Sequence, residues 1–373
     1  MKLGDVGEII GGGTPDTTIE EYWNGDIQWF TPTEIKSNYV SKSERRISKL
    51  GLKKSSAKLL PIGTILLTTR ATIGEVAITT EECTTNQGFQ SLVVNHDVNN
   101  RFIANWIKRN RNELIKRANG STFAEISKSE IEKISIFIPT KEEQDKIAAF
   151  LSLIDQRIET QNKIIEELET LIKGIVDFHF RNCRRKMYSI IELGEYFNVM
   201  NLSKESLSDN GKECILYGEL FTTYGCVINE VKNKTEEKGC KLTLSSSNDL
   251  LFPSSTTVDA HSLISPSAIL KEGVILGGDM FGIHISEDFN NEYLSYLFNY
   301  IYKHKLAMYA KGSTIVHLHY NEIKNAKIET PSLEEQNKSV KGLRLLQEKI
   351  IIEKNLLHIF QKQKVYLLQQ MFI

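Results

Sequence analysis

Two stretches of the chain 192 residues apart share one register, and that repeat limits the possible folds more than any other feature. Gly120-Ser121-Thr122-Phe123 answers to Gly312-Ser313-Thr314-Ile315. Ile138-Pro139-Thr140-Lys141-Glu142-Glu143-Gln144 answers to Thr330-Pro331-Ser332-Leu333-Glu334-Glu335-Gln336. Ile131 and Ile136 fall on Ile323 and Ile328 at the same offset. Near the start, Lys2-Leu3-Gly4-Asp5 resembles Glu192-Leu193-Gly194-Glu195 at an offset of 190. Repeated segments so far apart in one register mark an internal duplication.

Each copy closes on a helix-start signal. Thr140 and Ser332 follow a proline, with Glu143 and Glu335 three residues on. At this capping-box spacing, hydroxyl and carboxylate each satisfy a backbone N–H at the helix start. A heptad stripe follows: Ile147, Leu151, Ile154, Ile158, Gln161, Ile165, Leu168, Ile172, Ile175 and His179. Adding 192 gives Ser339, Leu343, Leu346, Ile350, Glu353, Leu357, Phe360, Lys364, Leu367 and Met371. A 3.5-residue period over about five heptads predicts a supercoiling helix roughly 60 Å long whose narrow seam needs a partner. The other copy is the economical partner. The globular half between them favours an intramolecular antiparallel pair with one globular half at each end. Gln161 and Glu353 interrupt both stripes at equivalent register. They are predicted to meet in a hydrogen-bonded layer, or else to face solvent where the seam is loose.

The globular halves read as mixed α and β. In the first, 59–69 predicts a turn leading into a strand, 73–79 and 91–94 further strands, and 101–117 an amphipathic basic helix. In the second, strands at 248–253, 273–276 and 280–285 precede an aromatic helix over 293–309. The expected fold class is α+β. Two mixed α/β domains, 1–139 and 187–331, are separated by two long antiparallel coiled-coil helices, 140–186 and 332–373, in a pseudo-two-fold internal repeat.

The net charge of −1, from 46 basic and 47 acidic residues, argues against binding nucleic acid through bulk charge. Local runs exist. Residues 42–58 carry Lys42, Arg45, Arg46, Lys49, Lys53, Lys54 and Lys58 against Glu44, and 101–117 carry Arg101, Lys108, Arg109, Arg111, Lys116 and Arg117 against Glu113. The five cysteines are odd in number and lack a C-x-x-C pair, which points to free thiols rather than a disulfide framework or zinc site. His317 and His319 should share one face of a strand but lack an evident third ligand. Gly11-Gly12-Gly13 lacks the ending of a phosphate loop, and neither H-E-x-x-H nor G-x-S-x-G occurs. Nothing assembles into a catalytic set, so no catalytic residue, metal or cofactor is expected. The apolar runs are too short to span a bilayer and the start lacks a secretory h-region, so a cytoplasmic protein is expected.

Several motifs carry a family resemblance. Gly11-Gly12-Gly13-Thr14-Pro15 followed by Tyr22-Trp23-Asn24-Gly25-Asp26-Ile27-Gln28-Trp29 resembles the opening of a target recognition domain in type I restriction–modification specificity subunits. Leu60-Pro61-Ile62-Gly63-Thr64 through Gly74 resembles its central strand and loop, and Thr85-Asn86-Gln87-Gly88-Phe89-Gln90 fits the same pattern. The twice-repeated Glu-Gln helix start and the ending Leu367-Leu368-Gln369-Gln370-Met371-Phe372 resemble the spacer regions. In the second half, Asp249-Leu250-Leu251-Phe252-Pro253-Ser254-Ser255 and Gly277-Gly278-Asp279-Met280-Phe281 resemble one version of the domain.

The resemblance implies a non-catalytic subunit that binds a bipartite, asymmetric site in double-stranded DNA. Its partners would be two modification (adenine methyltransferase) subunits, with restriction subunits in the full complex. Each domain would read base edges in the major groove, about one helical turn apart. Candidate base readers are Thr69, Arg70, Thr72, Asn86 and Gln87 in the first domain. In the second they are Ser254, Ser255, Thr256 and Thr257, with Tyr217 and Tyr224. Arg45, Arg46, Lys53 and Lys54, with the run at 101–117, would engage phosphates. Two other readings remain open at this point: a coiled-coil scaffold whose ends bind proteins or glycans, and the specificity component of a fused nuclease–methylase.

Overall fold

The computed structural model describes residues 1–120, 124–200, 202–238 and 242–372, so Ser121-Thr122-Phe123 of the first repeated motif, and Cys240, lie outside the described residues. The chain divides into two units. One is Met1–Asn162 with Asn355–Ile373, and the other is Lys163–Lys354. Each unit therefore holds one globular half and a stretch of both long helices, Lys141–Asn182 and Leu333–Met371.

Within each unit the helix stretches run antiparallel. In the first unit, Asp155 pairs with Lys364 and Arg157 lies over the ring of Phe360. In the second, Glu169 pairs with Lys354 at 2.8 Å, and His179, further along, meets Glu335. Each seam position in both stripes is buried or half-buried. Gln161 and Glu353 do not face solvent: they are 6% and 5% exposed, and the Glu353 carboxylate pairs with Lys349 one turn earlier.

The first unit is built on a five-stranded sheet in the order Gly7–Gly11, Gln90–Val94, Ile65–Leu67, Val76–Thr79, Tyr39–Val40. The second has Gly194–Asn198, Met280–Ile285, Asp249–Pro253, Ser267–Ile269, Val227–Ile228. The two sheets have the same topology. The first four strands are antiparallel to their neighbours and the fifth is parallel, in both. A second sheet accompanies each, three-stranded in the first unit and five-stranded in the second. In the first unit, Trp23–Phe30 pairs antiparallel with Arg45–Ile47 and parallel with Cys83–Thr85. In the second, Lys212–Leu216 pairs antiparallel with Asn233–Thr235 and parallel with Ile275–Gly277.

Local sequence explains the boundaries. Ile65–Leu67 is shorter than the predicted strand because Pro61 and Gly63, at φ 85°, form the preceding turn. The predicted helix over 101–117 breaks at Asn110 into Asn100–Arg109 and Arg111–Lys116, where the Asn110 side chain donates to the Trp106 carbonyl at 2.9 Å. The helix predicted over 293–309 is likewise two pieces, Asn291–Tyr300 and Lys303–Ala307.

The alignment of the two domain starts needs correction. Lys2 and Ser189, 187 residues apart, are the equivalent caps, with Asp5 and Glu192 closing each box. The strand glycines Gly7 and Gly194 then coincide. A Cβ there would lie 2.2 Å from the Val93 carbonyl oxygen or 1.9 Å from that of His284, so a glycine is required at both. The Leu-Gly-acidic likeness at offset 190 is a coincidence beside this hydrogen-bond register.

The helix starts also differ from expectation. Thr140 and Glu143 form the predicted box, at 3.1 Å to the Thr140 nitrogen and 2.9 Å to its hydroxyl. In the other copy, Glu335 turns towards His179 and Cys183. The repeated glutamine does more than the glutamate. Gln144 accepts from the Asn99 N–H at 2.9 Å and donates to the Pro139 carbonyl at 3.0 Å. Gln336 makes the same pair with Asn290 and Pro331, both at 2.9 Å. Asn99 and Asn290 cap the domain helices, so a buried amide clamps each domain helix to the start of a long helix.

Candidate nucleic-acid interface

In both units the central strand ends in the same backbone latch. The Thr69 N–H donates to the Gly88 carbonyl at 2.8 Å, and the Thr69 carbonyl accepts from Ile126 at 3.3 Å. The Ser254 N–H donates to the Asp279 carbonyl at 2.8 Å, and the Ser254 carbonyl accepts from Leu318 at 2.9 Å. One residue on, Arg70 bridges Glu125 and Ser255 bridges His317. The candidate readers Arg70 and Ser255 therefore occupy equivalent positions on one scaffold, with different chemistry at the tip.

In the first unit, Thr69 is fully buried and its hydroxyl also donates to Gly88, at 3.1 Å, so this side chain anchors the strand end. Arg70 is exposed and pairs with Glu125 at 2.8 Å. An exposed pair of this kind holds by at most about 1 kcal/mol, so a phosphate or guanine can displace it. Ala71 follows at φ 58°, the left-handed region that residues with a Cβ seldom adopt, and such backbone concentrates at functional loops. Among the described residues the buried Thr72 hydroxyl has no hydrogen-bond partner.

Asn86 and Gln87 follow directly from Cys83–Thr85 in the small sheet. Asn86 accepts from the Gly88 N–H at 2.8 Å, which makes it a turn residue, while Gln87 is exposed and accepts from the Thr14 hydroxyl. The glycine run fits beside this turn: a Cβ on Gly12 would stand 1.9 Å from the Asn86 carbonyl oxygen.

The two basic runs diverge. Lys42, Arg45, Arg46, Lys49, Lys53, Lys54 and Lys58 are all exposed, and among the described residues none pairs with a carboxylate. Arg45 lies 3.6 Å above the ring of Trp23, which itself packs edge-on against Trp29. Arg45 and Arg46 sit on the small sheet that delivers Asn86 and Gln87. In the run at 101–117, Arg111 pairs with Glu75, Arg117 with Glu113 at 2.8 Å, and Lys108 donates to Asn38. Burial, reinforced by the nearby Lys364, lowers the Lys108 ammonium to about 8. Two of that run's six cations, Arg111 and Arg117, are thus paired with carboxylates within the protein.

In the second unit, Ser254 and Ser255 are 4% and 7% exposed. Thr256 is half-buried and accepts from the Val258 N–H at 3.2 Å, and Thr257 is exposed. Ser254 lines a cleft of about 430 Å³ with Tyr196, Asn198, Asp279, His319 and Tyr320. Tyr217 packs against Gly278 at its rim. Tyr224 is not part of this group. Its hydroxyl accepts from the Lys232 N–H at 3.1 Å, its ring lines a cleft with Glu166, Glu169 and Lys354, and burial pushes its phenol up to about 12. The histidines His317 and His319 do share a face, with near-parallel rings 6.0 Å apart, and sit beside the serines. Asp279, His317 and His319 were not among the predicted readers, and only the repeat register brings them to the tip.

The family model described as the type I restriction modification DNA specificity domain matches residues 1–170 and 186–359. This chain belongs to that family. It is similar to the type I restriction enzyme MjaIX specificity subunit of Methanocaldococcus jannaschii, 41% identical over 192 residues, and the match spans 48% of this chain and 44% of that protein. Its fold resembles the S subunit of a type I restriction–modification system from M. genitalium, with a TM-score of 0.62 and 16% identity, covering all of this chain and 95% of that one. A chain from a structure of type I R-M complex assembly and conformational transition matches at a TM-score of 0.57 and 13% identity, covering 96% of that chain.

Proposed function

We propose that this chain is the DNA sequence-reading subunit of a type I restriction–modification complex, acting by recognition rather than catalysis. One reader, residues 1–139, and a second, residues 187–331, each take one part of a split site. The long helices at 140–186 and 332–373 serve as the spacer. The carrying observation is the latch built twice with unlike tips, Arg70 with Glu125 and Ser255 with His317. A constant backbone frame with divergent exposed side chains suits two readers of different base sequence, because phosphate and frame contacts position a protein while side chains at base edges specify.

Arg70 and Gln87 are the first unit's base readers in this proposal, with Arg45, Arg46, Lys53 and Lys54 on phosphates. Ser255, Thr256 and Thr257 carry the second unit, with Tyr217 at the rim. Thr69, Thr72 and Asn86 hold the loops in shape, and Tyr224 supports the domain from behind. Partners would be modification methyltransferase subunits, two by the repeat's symmetry, and restriction subunits in the full complex. The place of action would be the cytoplasm. Among the described residues no helix is long and apolar enough to cross a membrane.

The test is selection of duplexes from a random library by the full chain, alone and with a co-expressed adenine methyltransferase subunit. A two-part consensus is expected. Arg70→Ala should weaken cognate binding by ~1–3 kcal/mol and relax one part only. Recovery of no consensus would overturn the proposal.

A further inference from the structure

We propose that His179, Cys183 and Glu335 form a binding site for a divalent transition metal of the zinc class, placed where the first long helix ends and the second begins. His179 lies in the last turn of the first long helix and Cys183 is the first residue past its end, and the two side chains meet on the same side, 3.5 Å apart. Glu335 comes from the first turn of the other helix, 152 residues later than Cys183.

The geometry is specific. His179 Nε2 lies 3.4 Å from Glu335 Oε2, Cys183 Sγ lies 3.5 Å from His179 Nε2, and Cys183 Sγ lies 3.7 Å from Glu335 Oε2. A tetrahedral zinc ion, with bonds of about 2.3 Å to sulfur and about 2.0–2.1 Å to nitrogen and oxygen, requires ligand–ligand edges of roughly 3.3–3.6 Å. The triangle is the face of such a tetrahedron to within a few tenths of an ångström. The imidazole is also oriented from behind, as metal-bound histidines are: His179 Nδ1 lies 3.5 Å from the hydroxyl of the fully buried Tyr293. A thiolate and a carboxylate together neutralise a dication, and the thiol proton leaves on binding. Cys183 and Glu335 line a cleft of about 580 Å³ that admits a water as fourth ligand.

The equivalent corner of the other unit sharpens the assignment. Met371 stands 192 residues after His179, and Glu143 closes the Thr140 cap. Glu335 leaves the corresponding cap and converges on the histidine and the thiol.

Metal-free full-length protein should take up zinc at one ion per chain and retain it through dialysis. Cobalt should give the near-ultraviolet thiolate-to-metal band and intense visible bands of a tetrahedral site. Cys183→Ser should abolish the thiolate band, and His179→Ala should weaken zinc binding at least ~10-fold, the loss that even an outer ligand partner brings. Cobalt binding to wild-type protein without a thiolate band, or unchanged zinc affinity in Cys183→Ser, would overturn the proposal. Because the wild-type spectrum alone decides ligation, the test stands whether or not a variant folds.

Discussion

The two globular units close the same turn with opposite chemistry. Before the first unit's central strand, the Thr64 hydroxyl donates to the Pro61 carbonyl at 2.6 Å. At the equivalent turn in the second, the Asp249 carboxylate accepts from the Ser246 N–H at 2.8 Å. Proline has no N–H, so its turn offers only an acceptor and takes a hydroxyl, whereas serine offers a donor and takes a carboxylate. What the duplication preserves is the ladder of backbone bonds, and side chains change in complementary sets around it. The second unit has taken on more buried charge in doing so. Asp249 is fully buried against His284, and Glu292 is 1% exposed beneath Arg344. The first unit places Thr64 and the surface residue Arg101 at those positions.

The largest test of this contrast is Arg344→Ala. Arg344 reaches the Glu292 carboxylate with its Nε at 2.9 and 3.1 Å, and its loss leaves a buried carboxylate unpaired. A loss of ~3 kcal/mol is expected, at the lower edge for buried pairs because the arginine is half-exposed. It should be read as faster hydrogen exchange in the helix Asn291–Tyr300. Arg101→Ala, at the equivalent helix, should cost well under ~1 kcal/mol. Comparable losses in both would break the contrast.

The clamp tests what the units share. Gln144→Ala and Gln336→Ala each strand a cap N–H and a proline carbonyl, at ~1–3 kcal/mol. The two losses should agree in exchange protection of the respective domain helices. A loss confined to one unit would mean that the repeated glutamine has kept its place without its role.

The smallest effect is a pH dependence confined to the second unit. Burial raises the Asp249 carboxyl above the usual range, outweighing the Ser246 N–H and His284 that favour its ionised form. A group whose folded pKa lies above its unfolded value stabilises below the unfolded pKa, and that contribution fades as pH rises through the folded value. Stability of the second unit should therefore carry a falling component from about pH 4 upward, at no more than ~1.4 kcal/mol per pH unit. Asp249→Asn should flatten it, and an unchanged profile in that variant would assign the slope elsewhere.

Much of this arrangement was legible before the structure. The 192-residue register, both seams and the Thr140 cap follow from periodicity and capping chemistry, because those signals act within one or two helical turns. The remainder depends on contacts that sequence spacing does not encode. The basic run at 101–117 looks like a phosphate surface until Glu75, just ahead of the strand Val76–Thr79, takes Arg111. His179 reads as a heptad position, and is one, yet its chemistry waits on Glu335, 156 residues later. Thr69 and Arg70 are adjacent in one loop, but strand pairing buries the first and leaves the second in solvent. The glutamine clamp did leave a trace. A glutamine follows the glutamate in both copies although the cap does not require it.

That amide has a mechanical consequence. A loop between a domain helix and a long helix would absorb rotation by changing its own torsions. Here Gln144 and Gln336 each grip the end of one helix and the root of the other, so torque on either body reaches its neighbour through a single planar group. If a domain settles into a DNA groove as proposed, its long helix would turn with it, as a key turns its shank.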